Sequence, residues 1–178
     1  MVDHQSGNLY DSTTRIGRMA HAKLLPGEGN SGRLVTEVRK LGTKMASQEG
    51  ISTVLIDGSP GIGCPVIATV TGIALGIIVT EPTMSGIHDM QRVFNLLKRF
   101  NVRATVIINK YDINLENTKA IEKYCNENDV EVLGKIKFDS IMTKSMVAAQ
   151  TLPEFAADHE ISRLLLKIWN RVSDILTE

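Results

Sequence analysis

The sequence predicts an α/β fold: a mostly parallel sheet with helices on both faces, preceded by a β-rich leader. Three observations predict it. Residues 53–56, 74–80, 103–108 and 130–136 are short, continuously apolar runs, as strands buried on both faces are. Segments whose apolar residues recur at helical spacing lie between them. The joining loops are short, which suits right-handed crossovers between parallel neighbours.

At 178 residues the chain suits a single domain, residues 1–178. Aromatics make up only 4%, so the core must be aliphatic. Lys plus Arg balance Asp plus Glu at 20 each, so no overall field favours nucleic acid or an anionic membrane. The most apolar stretch, 64–80, is interrupted by Pro65, Thr69, Thr71, Gly72 and Gly76, and falls short of the ~20 residues of a membrane span. Residues 1–20 are polar and carry no signal-peptide pattern. Cys64 and Cys125 are far apart and have no partners at metal-ligand spacing, which fits a reducing cytoplasm.

In chain order, residues 1–7 read as a loose terminus. Residues 8–14 and 17–25 read as two strands around Arg15-Ile16-Gly17, with His21 a strand-surface residue rather than a ligand. Gly27 and Gly32 stand five apart, as in a phosphate loop G-x-x-x-x-G-K-[ST]. Arg33 and Leu34 occupy the places of its lysine and hydroxyl, so the match fails where the chemistry sits. Ser31 is expected to cap a helix over 32–47, buried through Leu34, Val38, Leu41 and Met45; its N-terminus could rest an anion.

The run 53–56 ends on Asp57, followed by three glycines and two prolines within eight residues. A carboxylate at the carboxyl end of a strand faces the crevice where open α/β sheets bind ligands. In phosphate-handling folds it holds Mg2+, usually through water, and the loop after it senses the terminal phosphate. Gly58 and Gly61 would let backbone N–H groups approach an anion. An ordinary strand-to-helix turn explains the same residues.

A helix is expected over 64–72, with Pro65 in its first turn, and another over 85–100, with Ile87, Met90, Val93, Phe94 and Leu97 at helical spacing. Glu81 and Thr83 sit just past a strand end, where ligand contacts gather, whereas His88 and Asp89 read as helix surface. The run 103–108 leads into Asn109-Lys110-Tyr111-Asp112, an N-K-x-D string. Asn and Asp there can read a base edge, with the lysine along base and ribose; GTPases read guanine so. Equally, Asp112 could cap a helix over 115–127. A short helix over 142–150 and an amphipathic helix over 162–176 complete the chain, the latter packing Trp169 on the sheet.

Three blocks in order carry a family resemblance: Val54-Leu55-Ile56-Asp57-Gly58-Ser59-Pro60-Gly61-Ile62-Gly63-Cys64-Pro65, then Thr80 through Asp89, then Ile108-Asn109-Lys110-Tyr111-Asp112. Over roughly residues 8–155 the chain resembles the MinD/ParA/Mrp class of P-loop ATPases, within it the MinD-superfamily subfamily that carries an inserted ferredoxin domain. The resemblance implies that Asp57 is the Walker B carboxylate acting on Mg2+ through water, and that Gly58 to Gly61 form the γ-phosphate switch. Asn109 would contact the adenine edge, with Phe138 and Asp139 in the loop closing over the base. It implies Mg2+-dependent ATP hydrolysis coupled to homodimerisation and linked to iron–sulfur or redox partners.

The family's Walker A loop and its ferredoxin cysteine clusters do not occur in these residues, and no G-K-[ST] string is present. The chain therefore resembles the carboxyl-terminal portion of a longer protein, without an iron–sulfur cluster of its own and with the central phosphate-loop strand missing. Weak or no activity is expected of it alone. The leader strands, a rearranged sheet or another chain would have to fill the gap. A GTPase-like protein and a non-catalytic interaction module are the alternatives.

Overall fold

The computed structural model describes residues 7–27 and 29–178. The chain divides into two compact units, Met1–Ile73 and Ala74–Glu178.

The first unit opens with an antiparallel hairpin, β1 (Gly7–Thr14) and β2 (Gly17–Leu24), in which Thr14 faces Gly17. Apart from Gly7, which opens β1, the loose terminus expected over 1–7 lies outside the described residues. The hairpin's register runs from Gly7 opposite Leu24 to Thr14 opposite Gly17. His21 pairs with Tyr10, stacks on its ring at 5.0 Å and meets Ser12 Oγ at 2.9 Å, as a strand-surface residue would.

Helix α1 (Ser31–Glu49) packs on this hairpin and on α2 (Cys64–Val70). Its fully buried residues are Met45 and Ala46, while Leu34, Val38 and Leu41 are half-buried. Ser31 is the first helical residue and not the cap. Asn30 holds the cap position in a left-handed conformation, φ 68°, with no side-chain cap bond. At the other end Gly50, φ 67°, turns the chain out and its N–H returns to Ala46 and Ser47 carbonyls. Pro65 lies in the first turn of α2, where its missing N–H is no loss.

The run 53–56 forms no strand. It joins no ladder, and Val54 and Leu55 are 41% and 78% exposed. Apolar sequence alone does not make a strand; its backbone needs a neighbour to bond. The leader strands do not supply a strand to the parallel sheet either, since they form a separate two-stranded sheet.

The second unit is a three-stranded parallel sheet, order β3-β4-β5, from β3 (Leu75–Thr80), β4 (Arg103–Asn109) and β5 (Glu131–Ile136). Ile78 pairs with Val106 and Asn109 with Ile136, so the three strands end nearly level. Helices α3 (Met84–Arg99) and α4 (Leu115–Glu127) follow β3 and β4, with a single 3-10 turn over Tyr111–Ile113 between β4 and α4. After β5 come α5 (Ser140–Val147), α6 (Leu152–Phe155) and α7 (Glu160–Thr177). The short α6 was not anticipated; Thr151 and Glu154 form its capping box.

Two glycines show that helices cover both faces. A Cβ on Gly76 would lie 2.6 Å from Leu97 of α3. A Cβ on Gly134 of β5 would lie 2.7 Å from Ile168 of α7. Val106 and Ile108 share the α3 face and are almost wholly buried; Ile107 and Ile136 join Ile168 and Val172 on the other. The buried stripe of α7 runs Ile161, Ile168, Val172, Ile175. Trp169 does not pack on the sheet as expected: it is 46% exposed, beside Leu166 at 54%. At 100° per residue, Trp169 is rotated off the line its neighbour Ile168 occupies.

Candidate functional site

Level strand ends put three loops of the second unit side by side, at the edge where parallel sheets bind ligands. The first follows β3. Thr83 caps α3 by accepting from Gly86 N–H at 3.0 Å, and Thr80 Oγ1 donates to the Gly86 carbonyl at 2.9 Å. Gly86 has no room for a Cβ, which would overlap the Glu81 carbonyl oxygen. Pro82 is fully buried, and Asn117 of α4 donates to its carbonyl at 3.1 Å. Glu81 is thereby fixed at the loop's tip.

The second loop carries the N-K-x-D string. β4 ends on Asn109, and Lys110 turns the chain through a left-handed conformation, φ 50°. Lys110 Nζ lies 2.7 Å from Glu81 Oε1, and Asn109 Nδ2 reaches the same oxygen at 3.5 Å. The lysine thus points at Glu81 instead of lying free along a base. Asp112 does not cap α4: Asn114 does, accepting from Asn117 N–H at 3.0 Å. Asp112 Oδ1 instead accepts the backbone N–H of Phe138 at 2.7 Å.

The third loop follows β5. Phe138 is 60% exposed, a free aromatic face at the strand end. Asp139 caps α5, accepting from Ile141 N–H at 2.9 Å, and its other oxygen lies 3.7 Å from His159 Nε2. His159 in turn caps α7 through Nδ1. Asn109, Lys110, Asp112, Phe138 and Asp139 are therefore brought to one edge, where Glu81 joins Asn109 and Lys110 and Asp112 joins the Phe138 backbone. His159 and Asn117 were not singled out; nothing in their local sequence marks them, because their partners lie 20 and 35 positions away.

Beside these loops Tyr111, Lys135, Lys137, Glu160, Ile161 and Leu164 line a cleft of about 140 Å³. The Lys135 ammonium sits 5.6 Å over the Tyr111 ring and pairs with Glu122 at 2.7 Å. Lys137 pairs with Glu160, whose hydrogen bond raises the lysine's pKa and lowers the glutamate's. A larger open hollow of about 510 Å³ runs along the polar face of α1. One helix supplies its lining, and no predicted site residue reaches it.

Asp57, Gly58 and Gly61 belong to the first unit, in a segment with neither helix nor strand. Asp57 is exposed. Gly61 has φ 89°, a conformation that needs glycine, and a Cβ on Gly58 would touch Thr69 at 3.4 Å. Among the described residues no three His, Cys, Asp or Glu cluster to hold a metal. A single exposed carboxylate suits Mg2+ all the same, because that ion keeps its waters and is bound mainly by substrate phosphates.

No family model matches the chain. It is 32% identical over 113 residues to the uncharacterized protein MJ0578 of Methanocaldococcus jannaschii, covering 64% of this chain and 39% of that protein. It is 27% identical over 107 residues to MJ0579 of the same organism, covering 60% and 38%. The chain thus spans about two fifths of the curated relatives it matches.

Among solved structures it resembles the cell division ATPase MinD of Pyrococcus furiosus, TM-score 0.66, 17% identical, covering 81% of this chain and 59% of that one. MinD of Aquifex aeolicus gives 0.68 at 17% identity, with 92% and 68% covered. MinD of Pyrococcus horikoshii, solved with Mg-ADP, gives 0.65 at 20%, with 79% and 56% covered. The fold is that of the MinD-type P-loop ATPases. Among the described residues no helix is long and apolar enough to cross a membrane.

Proposed function

We propose that residues 1–178 act as one nucleotide-binding domain of a MinD-superfamily ATPase, of the ferredoxin-inserted kind. The observation that carries this reading is the meeting of Glu81, Asn109, Asp112, Phe138 and Asp139 at the carboxyl ends of β3, β4 and β5. Asn109 would bond the adenine edge, and Phe138 with Asp139 would close over the base; an exposed aromatic suits stacking. Lys110 would hold Glu81 and flank the ribose. Asp57 would bond a water of the nucleotide's Mg2+, with Gly58 to Gly61 sensing the γ-phosphate.

The lysine-bearing phosphate loop of this class is not among these residues. Base and metal contacts alone leave out most of the triphosphate's grip, so ATP hydrolysis belongs to the complete protein. Its partners in this reading are a second copy of itself and an iron–sulfur or redox protein, in the cytoplasm.

The test is ATP binding and turnover by this chain, against a version with a phosphate-loop segment joined upstream. Turnover should appear only in the longer version and vanish in it on Asp57→Ala. Hydrolysis by residues 1–178 alone would refute the proposal.

A further inference from the structure

The N-K-x-D string invites one assignment for Asp112: a carboxylate reading the two donors on guanine's Watson–Crick edge. That use turns both carboxylate oxygens to the base, where each accepts one of the two N–H donors. Here Oδ1 is taken by Phe138 N–H, 2.7 Å away and 26 positions on in sequence. Neighbouring bonds hold the loop in this attitude. Thr118 Oγ1 donates to the Tyr111 carbonyl at 2.7 Å, and Ile113 N–H to that of Lys110 at 3.1 Å. The helix-capping duty that would otherwise explain Asp112 belongs to Asn114. What Asp112 reaches is the backbone of the one exposed aromatic at this edge among the described residues, Phe138.

We infer that Asp112 is a positioning residue. It clasps the loop after β5 to the loop after β4 and so sets where the Phe138 ring stands, without touching the base. The inference rests on the nucleotide reading for its purpose, though not for its geometry. With Oδ1 turned to the Phe138 backbone, Asp112 on this inference lends guanine no paired contact, and the string then gives no preference for GTP.

The experiment uses the full chain, alone and with an upstream phosphate-loop segment, as wild type, Asp112→Asn, Asp112→Ala, Phe138→Ala and the Asp112→Ala/Phe138→Ala double variant. Amide hydrogen exchange at Phe138 is read residue by residue. Losing the acceptor in Asp112→Ala should speed it about tenfold, and the asparagine, which keeps a carbonyl, should restore most of the protection. Unchanged exchange in Asp112→Ala overturns the clasp. ATP and GTP are then competed. Asp112→Ala should weaken ATP several-fold in the wild-type background and have no further effect once Phe138 is gone. Additive losses, or a GTP preference that Asp112→Asn removes, would overturn the inference. If neither nucleotide binds either version, the nucleotide reading fails, while the exchange result still decides the clasp.

Discussion

Glu81 and Lys110 form an ion pair, 2.7 Å from Oε1 to Nζ, that joins the carboxyl ends of β3 and β4. Both side chains are 39% exposed, so solvent screens the charge and the pair is worth roughly 0–1 kcal/mol. Its weight lies in geometry, because the same Glu81 oxygen lies 3.5 Å from Asn109 Nδ2. Glu81→Ala and Lys110→Ala should each cost less than about 1 kcal/mol in urea unfolding, and together no more than the larger of the two. A loss of several kcal/mol in either would show a desolvated pair instead.

Gly86 should be the least replaceable residue of the β3–α3 loop. A Cβ there overlaps a backbone carbonyl, which cannot swing aside as a side chain can. Gly86→Ala should cost about 1–3 kcal/mol, as overpacking does. Thr83→Ala removes the cap and an exposed 3.2 Å hydrogen bond with Ser85 Oγ, and should cost about 1 kcal/mol. Urea midpoints of the two variants check the order; a silent Gly86→Ala would mean the loop yields freely.

The carboxyl-terminal helix is tied to the sheet by charge. Arg171 donates to both Glu131 oxygens, at 2.8 and 2.9 Å, and to Glu178 at 3.0 Å; Arg103 donates to Glu178 at 2.7 Å. Hydrogen bonds from Arg171 hold Glu131 below its usual 4.5, and those from Arg103 and then Arg171 do the same for Glu178. A depressed carboxylate pKa adds stability above the unfolded value and loses it as pH falls through the folded one. Melting temperature should therefore drop below about pH 4.5, and less steeply in Arg171→Ala. High salt should shrink the difference between the two proteins. Identical acid profiles would remove the network from the account.

Much of this architecture was readable, and the failures share a cause. Runs 74–80, 103–108 and 130–136 became β3, β4 and β5 because neighbours complete their ladders. The run 53–56 is as apolar, yet it stays unladdered and exposed, since pairing is a property of two segments. Asn109 was placed beside a strand end by local pattern, Phe138 and Asp139 by the family resemblance, and parallel topology gathered them. The partner of Asp112 was not readable, because no local rule names an amide 26 positions on. Trp169 was assigned to the apolar stripe of the amphipathic helix, but the buried line is narrower and passes through Ile168 and not Trp169.

The two cysteines should differ sharply in chemistry. Cys64 is exposed at the first turn of α2, and Cys125 is buried at the end of α4. Burial, with a smaller contribution from Glu122, pushes the Cys125 thiol up to about 11. The thiolate is the reactive form, so native protein treated with iodoacetamide at pH 8 should be labelled at Cys64 alone. Both should react in urea. A thiol whose folded pKa lies above its unfolded value of 9 contributes stability fully present below pH 9 and lost as pH climbs towards 11. Cys125→Ser would bury a hydroxyl in an apolar site, so Cys125→Ala is the cleaner control, and its alkaline decline should be shallower than wild type's. Peptide mass mapping that finds Cys125 alkylated as fast as Cys64 would mean that α4 opens freely from the sheet.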